Sequence, residues 1–253
     1  DTTGHAHIGY FEATNGELKY ATNASGSWIT GTVDNSRWIG SRNSLARDAA
    51  GHAHISYQEG YGSHYDLKYT TNASGSWVTT TVDSDGDLGM FNSIAIDTSG
   101  HAHIGYFDSI NYYLKYATNA SGSWVVTIAD SDGAGAFVSL ALDTQGKAHI
   151  SYLYAYTADL KYATNASGLW VTTMVDNNGK VGFDTSIKLD SKDKVHISYN
   201  DEWNSDLKYA TNKSGHWVTD AIAKDGHVGW YTSMALDASD KAYISHHDIL
   251  NKD

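Results

Sequence analysis

The sequence LKYATNASGSW, at residues 18–28, returns with few changes at 67–77, 114–124, 160–170 and 207–217. The tryptophans that close the five copies, Trp28, Trp77, Trp124, Trp170 and Trp217, stand 49, 47, 46 and 47 residues apart. A fixed period of this size marks an array in which each unit buries its apolar surface against its neighbours. Length is then a poor guide to domain number, and residues 1–253 are expected to form one domain.

Each unit divides into four short runs, which we call a, b, c and d. In one full copy they are 93–97 (SIAID), 101–108 (HAHIGYFD), 114–118 (LKYAT) and 124–128 (WVVTI). The runs are rich in Ile, Val, Tyr and Thr and are separated by Gly, Asn, Asp and Ser, the pattern of strands joined by tight turns. No stretch sustains a 3.6-residue period, so helices are not expected. The reading is all-β: a five-bladed β-propeller with four antiparallel strands per blade. Run b occurs six times, beginning at 5, 52, 101, 147, 194 and 241, whereas a, c and d occur five times. The chain opens with b, c, d and closes with a, b, so the ring is expected to be closed by strands from both termini. One b strand is left over as an edge that could pair with another protein.

A formal net charge of -12 without any basic stripe excludes the electrostatic footprint that nucleic acid demands. No apolar run reaches the roughly 18 residues that span a bilayer, so membrane insertion is not expected. The absence of cysteine removes disulfides and thiolate metal sites. The sequence starts at Asp1 rather than Met, which fits a secreted or cell-surface protein whose targeting segment is gone.

The Thr-Asn-Ala-Ser-Gly segment between c and d also matches the N-x-S glycosylation sequon, at Asn23, Asn72, Asn119, Asn165 and Asn212. Its lock to the repeat favours a turn-forming role. The pairs His5/His7, His52/His54 and His101/His103 have the spacing that puts two imidazoles on one strand face, as a metal site would need. The second histidine recurs as His149 and His196, while the first becomes Lys147 and Lys194. That pattern favours a structural hydrogen bond to the Asp that ends run a (Asp48, Asp97, Asp143, Asp190), loosely resembling the polar tetrad of WD40 blades. The segments at 83–86 and 130–133, Asp-x-Asp-Gly, resemble calcium loops without the remaining ligands, so a plain turn is favoured over calcium. No other cofactor is expected.

The b–c loops and d–a loops lie at one end of an antiparallel meander, and there the copies diverge. Loops held on a rigid scaffold are where function usually sits. Three tryptophans outside the repeat, Trp38, Trp203 and Trp230, fall in these loops, with Tyr61, Tyr65, Tyr112 and Tyr156. Aromatic rings beside Asp, Asn and Glu suit a sugar, offering a platform for its C–H face and acceptors for its hydroxyls. The competing reading, strongest for Phe91, Phe137, Phe183 and Tyr231, is packing between sheets. The only arginines are Arg37, Arg42 and Arg47. Arg47 replaces an apolar residue of the other copies and should need a carboxylate partner, and Arg42 is a candidate anion contact.

In repeat length, blade count and Trp-anchored outer strand the whole chain resembles the tachylectin-2-type five-bladed lectins. Its repeat is similar to the ALD…G…HISYYD…LKYA units of bacterial and archaeal surface propellers. The resemblance implies a propeller and a lectin-like activity. The tachylectin sugar-contact motifs are not matched, so no site residue carries over. The expected function is a non-enzymatic, multivalent carbohydrate-binding module whose partner is a glycan or polysaccharide. The alternatives are a propeller glycoside hydrolase or polysaccharide lyase, and a surface or filament module that binds other proteins; no catalytic or metal-ligating residue is assigned.

Overall fold

The computed structural model describes residues 1, 3–36, 39–61 and 64–250. These residues form strands, turns and loops without a helix. The first sheet holds β1 (His7–Glu12), β2 (Glu17–Thr22) and β3 (Ile29–Asp34). The second runs β4 (Ile39–Arg47), β5 (Ala53–Tyr61), β6 (His64–Thr71), β7 (Val78–Asp83), and the third β8 (Met90–Ile96), β9 (Ala102–Asp108), β10 (Tyr113–Thr118), β11 (Val125–Asp130). The fourth is β12 (Ala134–Leu142), β13 (Ala148–Tyr154), β14 (Asp159–Thr164), β15 (Val171–Asp176), and the fifth β16 (Phe183–Leu189), β17 (Val195–Asp201), β18 (Asp206–Thr211), β19 (Val218–Ala223). The last pairs β20 (Trp230–Leu236) with β21 (Ala242–His247). Within each sheet every strand pairs with the next in sequence, as short turns rich in Asn, Asp and Gly allow. The chain divides into two compact units, residues 1–111 with 115–127, and residues 112–114 with 128–253.

Runs a to d thus become the strands expected of them, in propeller-like succession. The described residues form six sheets, of which β1–β3 is three-stranded and β20–β21 two-stranded. The b strand beside β2 is β1, paired in unbroken register from His7↔Thr22 to Glu12↔Glu17.

Within each unit, successive sheets stack through a repeated contact. Leu18 and Tyr20 of the first sheet pack against Ile55, Tyr57, Leu45 and Trp77 of the second. The same set recurs in the second unit, where Leu160 and Tyr162 meet Ile187, Ile197, Tyr199 and Trp217. The repeat tryptophan meets the tyrosine of the preceding sheet edge-on, at 5.5 Å for Tyr20–Trp77, 5.1 Å for Tyr69–Trp124 and 5.3 Å for Tyr162–Trp217, an arrangement aromatic quadrupoles prefer.

Polar ties complete the stack. The Asp–His reading holds: His54 Nε2 approaches Asp48 Oδ2 at 3.3 Å, and its Nδ1 takes the Tyr69 hydroxyl at 2.6 Å. The grouping recurs as Asp97–His103–Tyr116, Asp143–His149–Tyr162 and Asp190–His196–Tyr209. Burial lowers His54, His103 and His149 from the usual histidine value, so these rings are neutral ties. Burial alone would raise Asp48 and Asp97, but hydrogen bonds from His52 and His54, and from His101 and His103, outweigh it and hold both at about 2. In the first sheet Asp1 takes the carboxylate's place, 3.0 Å from His7 Nε2 and 3.0 Å from Arg47 Nη1. Arg47 thereby gains its expected partner.

Candidate functional site

The two ends of each sheet are built differently. At the c–d turns the asparagine side chain is consumed by the backbone: Asn23, Asn72, Asn119, Asn165 and Asn212 each accept, through Oδ1, the main-chain N–H of Ala6, Ala53, Ala102, Ala148 and Val195 at 2.8 Å. This is the turn-forming role read from the sequon positions.

At the opposite end, main chain satisfies main chain. Leu88, Ala134, Val181 and Val228 of the d–a loops donate N–H to the carbonyls of Tyr65, Tyr112, Ala158 and Ser205 in the b–c loops, at 2.8 to 3.1 Å. In return Ser109, Ala155, Glu202 and Ile249 donate to Asp87, Gly133, Lys180 and His227 at 2.7 to 3.1 Å. The loops are stapled to each other in pairs, which holds their side chains at fixed places.

Beneath them lies a charged tie. The tyrosine of strand b donates to the Asp that ends the preceding strand d, Tyr106 to Asp83 at 2.6 Å, Tyr152 to Asp130 at 2.6 Å and Tyr199 to Asp176 at 2.7 Å. The lysine of strand c closes on the same carboxylates, Lys115 at 2.6 Å and Lys161 and Lys208 at 2.5 Å. These are the first residues of the calcium-like segments, and each also accepts a backbone N–H two residues on, from Asp85, Asp132 and Asn178. The segments are Asx turns whose first carboxylate is already neutralised.

What rises above this floor differs from copy to copy. In the second unit Tyr112, Tyr154 and Tyr156 gather into one cluster: Tyr112 and Tyr156 are stacked with centroids 6.4 Å apart, and Tyr154 meets Tyr156 edge-on at 5.5 Å. Tyr156 is 68% exposed and Tyr112 47%. Gly133 makes the cluster fit, since a Cβ there would lie 2.3 Å from Tyr156 Cε2 and its φ of +60° suits glycine. Tyr112 itself sits at φ +56°, where the matching residues of other copies are Gly16, Ala158 and Ser205; a bulky side chain in this conformation is a strained outlier of the kind found at functional sites. Desolvation and then the Asp132 carboxylate push the Tyr154 hydroxyl up, and the Lys161 ammonium lies 4.7 Å from the Tyr154 ring centre.

Trp203 holds the position of Tyr156 in the next copy and is 76% exposed, its ring over Gly179. Asp201 fixes the loop under it by accepting from the Trp203 N–H at 3.1 Å and from Asn204 Nδ2 at 2.8 Å. Ile110 and Leu250 hold the same position and are likewise exposed.

The other sequence-predicted residues are placed apart. Trp230 is half-buried, with Nε1 shielded and unpaired. Tyr65 is half-buried, its main chain bridged to Asp87. Arg42 is exposed, its guanidinium 4.7 Å from the Phe91 ring centre. Trp38, with Arg37, and the side chain of Tyr61 lie outside the described residues. Sequence reading missed Tyr154, Asp132 and Gly133. Their signal was present: Tyr154 stands where Glu12, Asp108 and Asp201 end strand b in other copies.

No protein-family model matches this chain, and no curated protein matches it. Solved structures do. A SapL1 lectin in complex with α-methyl fucoside is similar over 96% of this chain and 85% of its own, with TM-score 0.62 and 12% identity. An ulvan lyase, a polysaccharide lyase bound to -[GlcA(1-4)Rha3S]-, covers 96% of this chain and 77% of its own, with TM-score 0.65 and 12% identity. A Dyadobacter fermentans protein of unknown function matches over 92% and 79%, with TM-score 0.63 and 9% identity. At these identities the likeness is one of fold: repeated antiparallel sheets of propeller type.

Proposed function

We propose that this chain is a non-enzymatic carbohydrate-binding module that holds a glycan or polysaccharide on its b–c and d–a loops, through several related sites. The observation that carries the reading is the Tyr112–Tyr154–Tyr156 cluster, three rings that a soluble surface would ordinarily cover, fixed by stapled loops beside an exposed carboxylate. Tyrosine and tryptophan give a sugar ring a flat apolar face at low entropic cost. Trp203 in the next copy offers a second such face, and repeated weak sites linked on one scaffold gain by avidity. The similarity to a fucoside-bound lectin and to a polysaccharide lyase supports a saccharide ligand. Binding is favoured over hydrolysis or lysis because the repeated His, Asp and Tyr groups are buried in ties between strands.

The same proposal keeps Trp38, Arg42, Tyr61, Tyr65 and Trp230 as secondary contacts, a single domain arranged as a five-bladed ring, and a secreted or cell-surface setting. A glycan array run with a polysaccharide-degradation screen tests it. Binding that Tyr156→Ala and Trp203→Ala weaken, without product release, is the expected result. Depolymerisation, or glycan binding indifferent to both substitutions, would sink the reading.

A further inference from the structure

The charges around the tyrosine cluster narrow the ligand class. Lys161 is the cation closest to these rings among the contacts described, and it is spent: its ammonium is 2.5 Å from Asp130 and only 6% of the residue is exposed. Asp130 is in turn filled by Lys161 and the Tyr152 hydroxyl. Asp159, at the start of β14, is buried and takes the Thr157 hydroxyl. Asp132 is the exception. Its side chain is 75% exposed, 4.0 Å from the already neutralised Lys161, and adjacent to Tyr154. The platform therefore combines the exposed rings of Tyr112 and Tyr156 with one solvent-exposed carboxylate, bonded by the Tyr154 hydroxyl, on a chain whose formal net charge is -12.

A uronate or sulfated sugar would meet repulsion from Asp132, and the cation that the described contacts place at these rings, Lys161, is already paired with Asp130. A neutral sugar would use the rings alone. A sugar bearing a free ammonium would use both, because ring faces attract cations and a nearby carboxylate adds Coulombic attraction. Resting on the glycan-binding reading above, we infer that the Tyr112–Tyr154–Tyr156 platform selects a protonated amino sugar within a polysaccharide. The carboxylate and the rings are independent features of three loops, a d–a loop for Asp132 and two b–c loops for the tyrosines, and they converge because Ala134 N–H bonds the Tyr112 carbonyl at 3.0 Å and Ala155 N–H the Gly133 carbonyl at 2.7 Å.

Calorimetric titration of the intact chain tests this with three probes of equal length: β-1,4-linked glucosamine oligomers, their fully N-acetylated counterparts, and oligoglucuronate. The glucosamine oligomer is expected to bind about tenfold tighter than the acetylated one, the gap shrinking as salt is raised. Asp132→Asn should erase that gap, and Asp132→Glu should preserve it. Equal affinity for the free and acetylated forms, preference for the glucuronate, or a gap that survives Asp132→Asn overturns the inference while the glycan-binding reading stands. No binding of any probe, together with a blank glycan array, overturns both.

Discussion

The c–d turns and the opposing b–c and d–a loops are two ends of the same sheets, and both are tied by recurrent hydrogen bonds, yet one is nearly invariant and the other is not. The difference lies in which atoms do the bonding. At the turns, Asn119 and its counterparts spend a side-chain oxygen on the N–H of strand b, so the residue type is dictated. At the loops, Ala134 N–H finds the Tyr112 carbonyl and Val181 N–H finds the Ala158 carbonyl, so the backbone is satisfied by backbone. Side chains there are released from structural duty and can differ freely, as Ile110, Tyr156 and Trp203 do at one position.

This contrast can be broken at its deepest point first. Lys208→Met would leave the Asp176 carboxylate buried without a counter-charge at its Oδ2, held by the Tyr199 hydroxyl and the Asn178 N–H, and removing one partner of a buried pair costs about 3 kcal/mol or more. Chemical denaturation should report that loss; a change under about 1 kcal/mol would mean the tie behaves as a solvated surface pair.

At the turn end, Asn119→Ala strips the acceptor from the N–H of fully buried Ala102. The expected loss is about 1–3 kcal/mol, the penalty for an orphaned buried donor. Glycan affinity of the folded molecule should not move, and if it does the two ends are not separable.

Acid should act on the ties before it acts on the loops. His54, His103 and His149 are held below the ordinary histidine value by burial, so the unfolded chain binds more protons as pH falls below about 6.5 and stability declines there. Asp48 and Asp97, held at about 2, add stability that is complete above the unfolded carboxylate range and lost as pH drops from about 4 towards 2. Thermal melts from pH 7 downwards should therefore show two successive falls in Tm, and a flat profile between pH 7 and 5 would contradict the histidine assignment.

The smallest structural effect is expected from Tyr156→Ala. With most of its surface exposed, the ring should contribute within about 0.5 kcal/mol to stability, while its loss weakens glycan binding by about 1 kcal/mol or more. A large drop in Tm with unchanged binding would turn the cluster from a ligand platform into a packing feature.

Much of this was legible along the chain, because strand alternation, turn residues and a period near 47 are local properties. The Asp–His partnership was also readable, since Asp97 and His103 recur at fixed offset on adjacent strands and a buried polar group needs a partner. What the chain could not specify by itself was non-local. That β1 rather than the last b strand lies beside β2 is a matter of pairing between strands of similar sequence, which the structure gives and the repeat does not. Trp230 and Trp203 are both loop-face tryptophans in the sequence, yet one is shielded and the other stands over Gly179 in solvent. The tyrosine platform likewise arises only when residues 112, 133 and 154–156 are brought together by hydrogen bonds among three loops, a distance relation that periodicity does not encode.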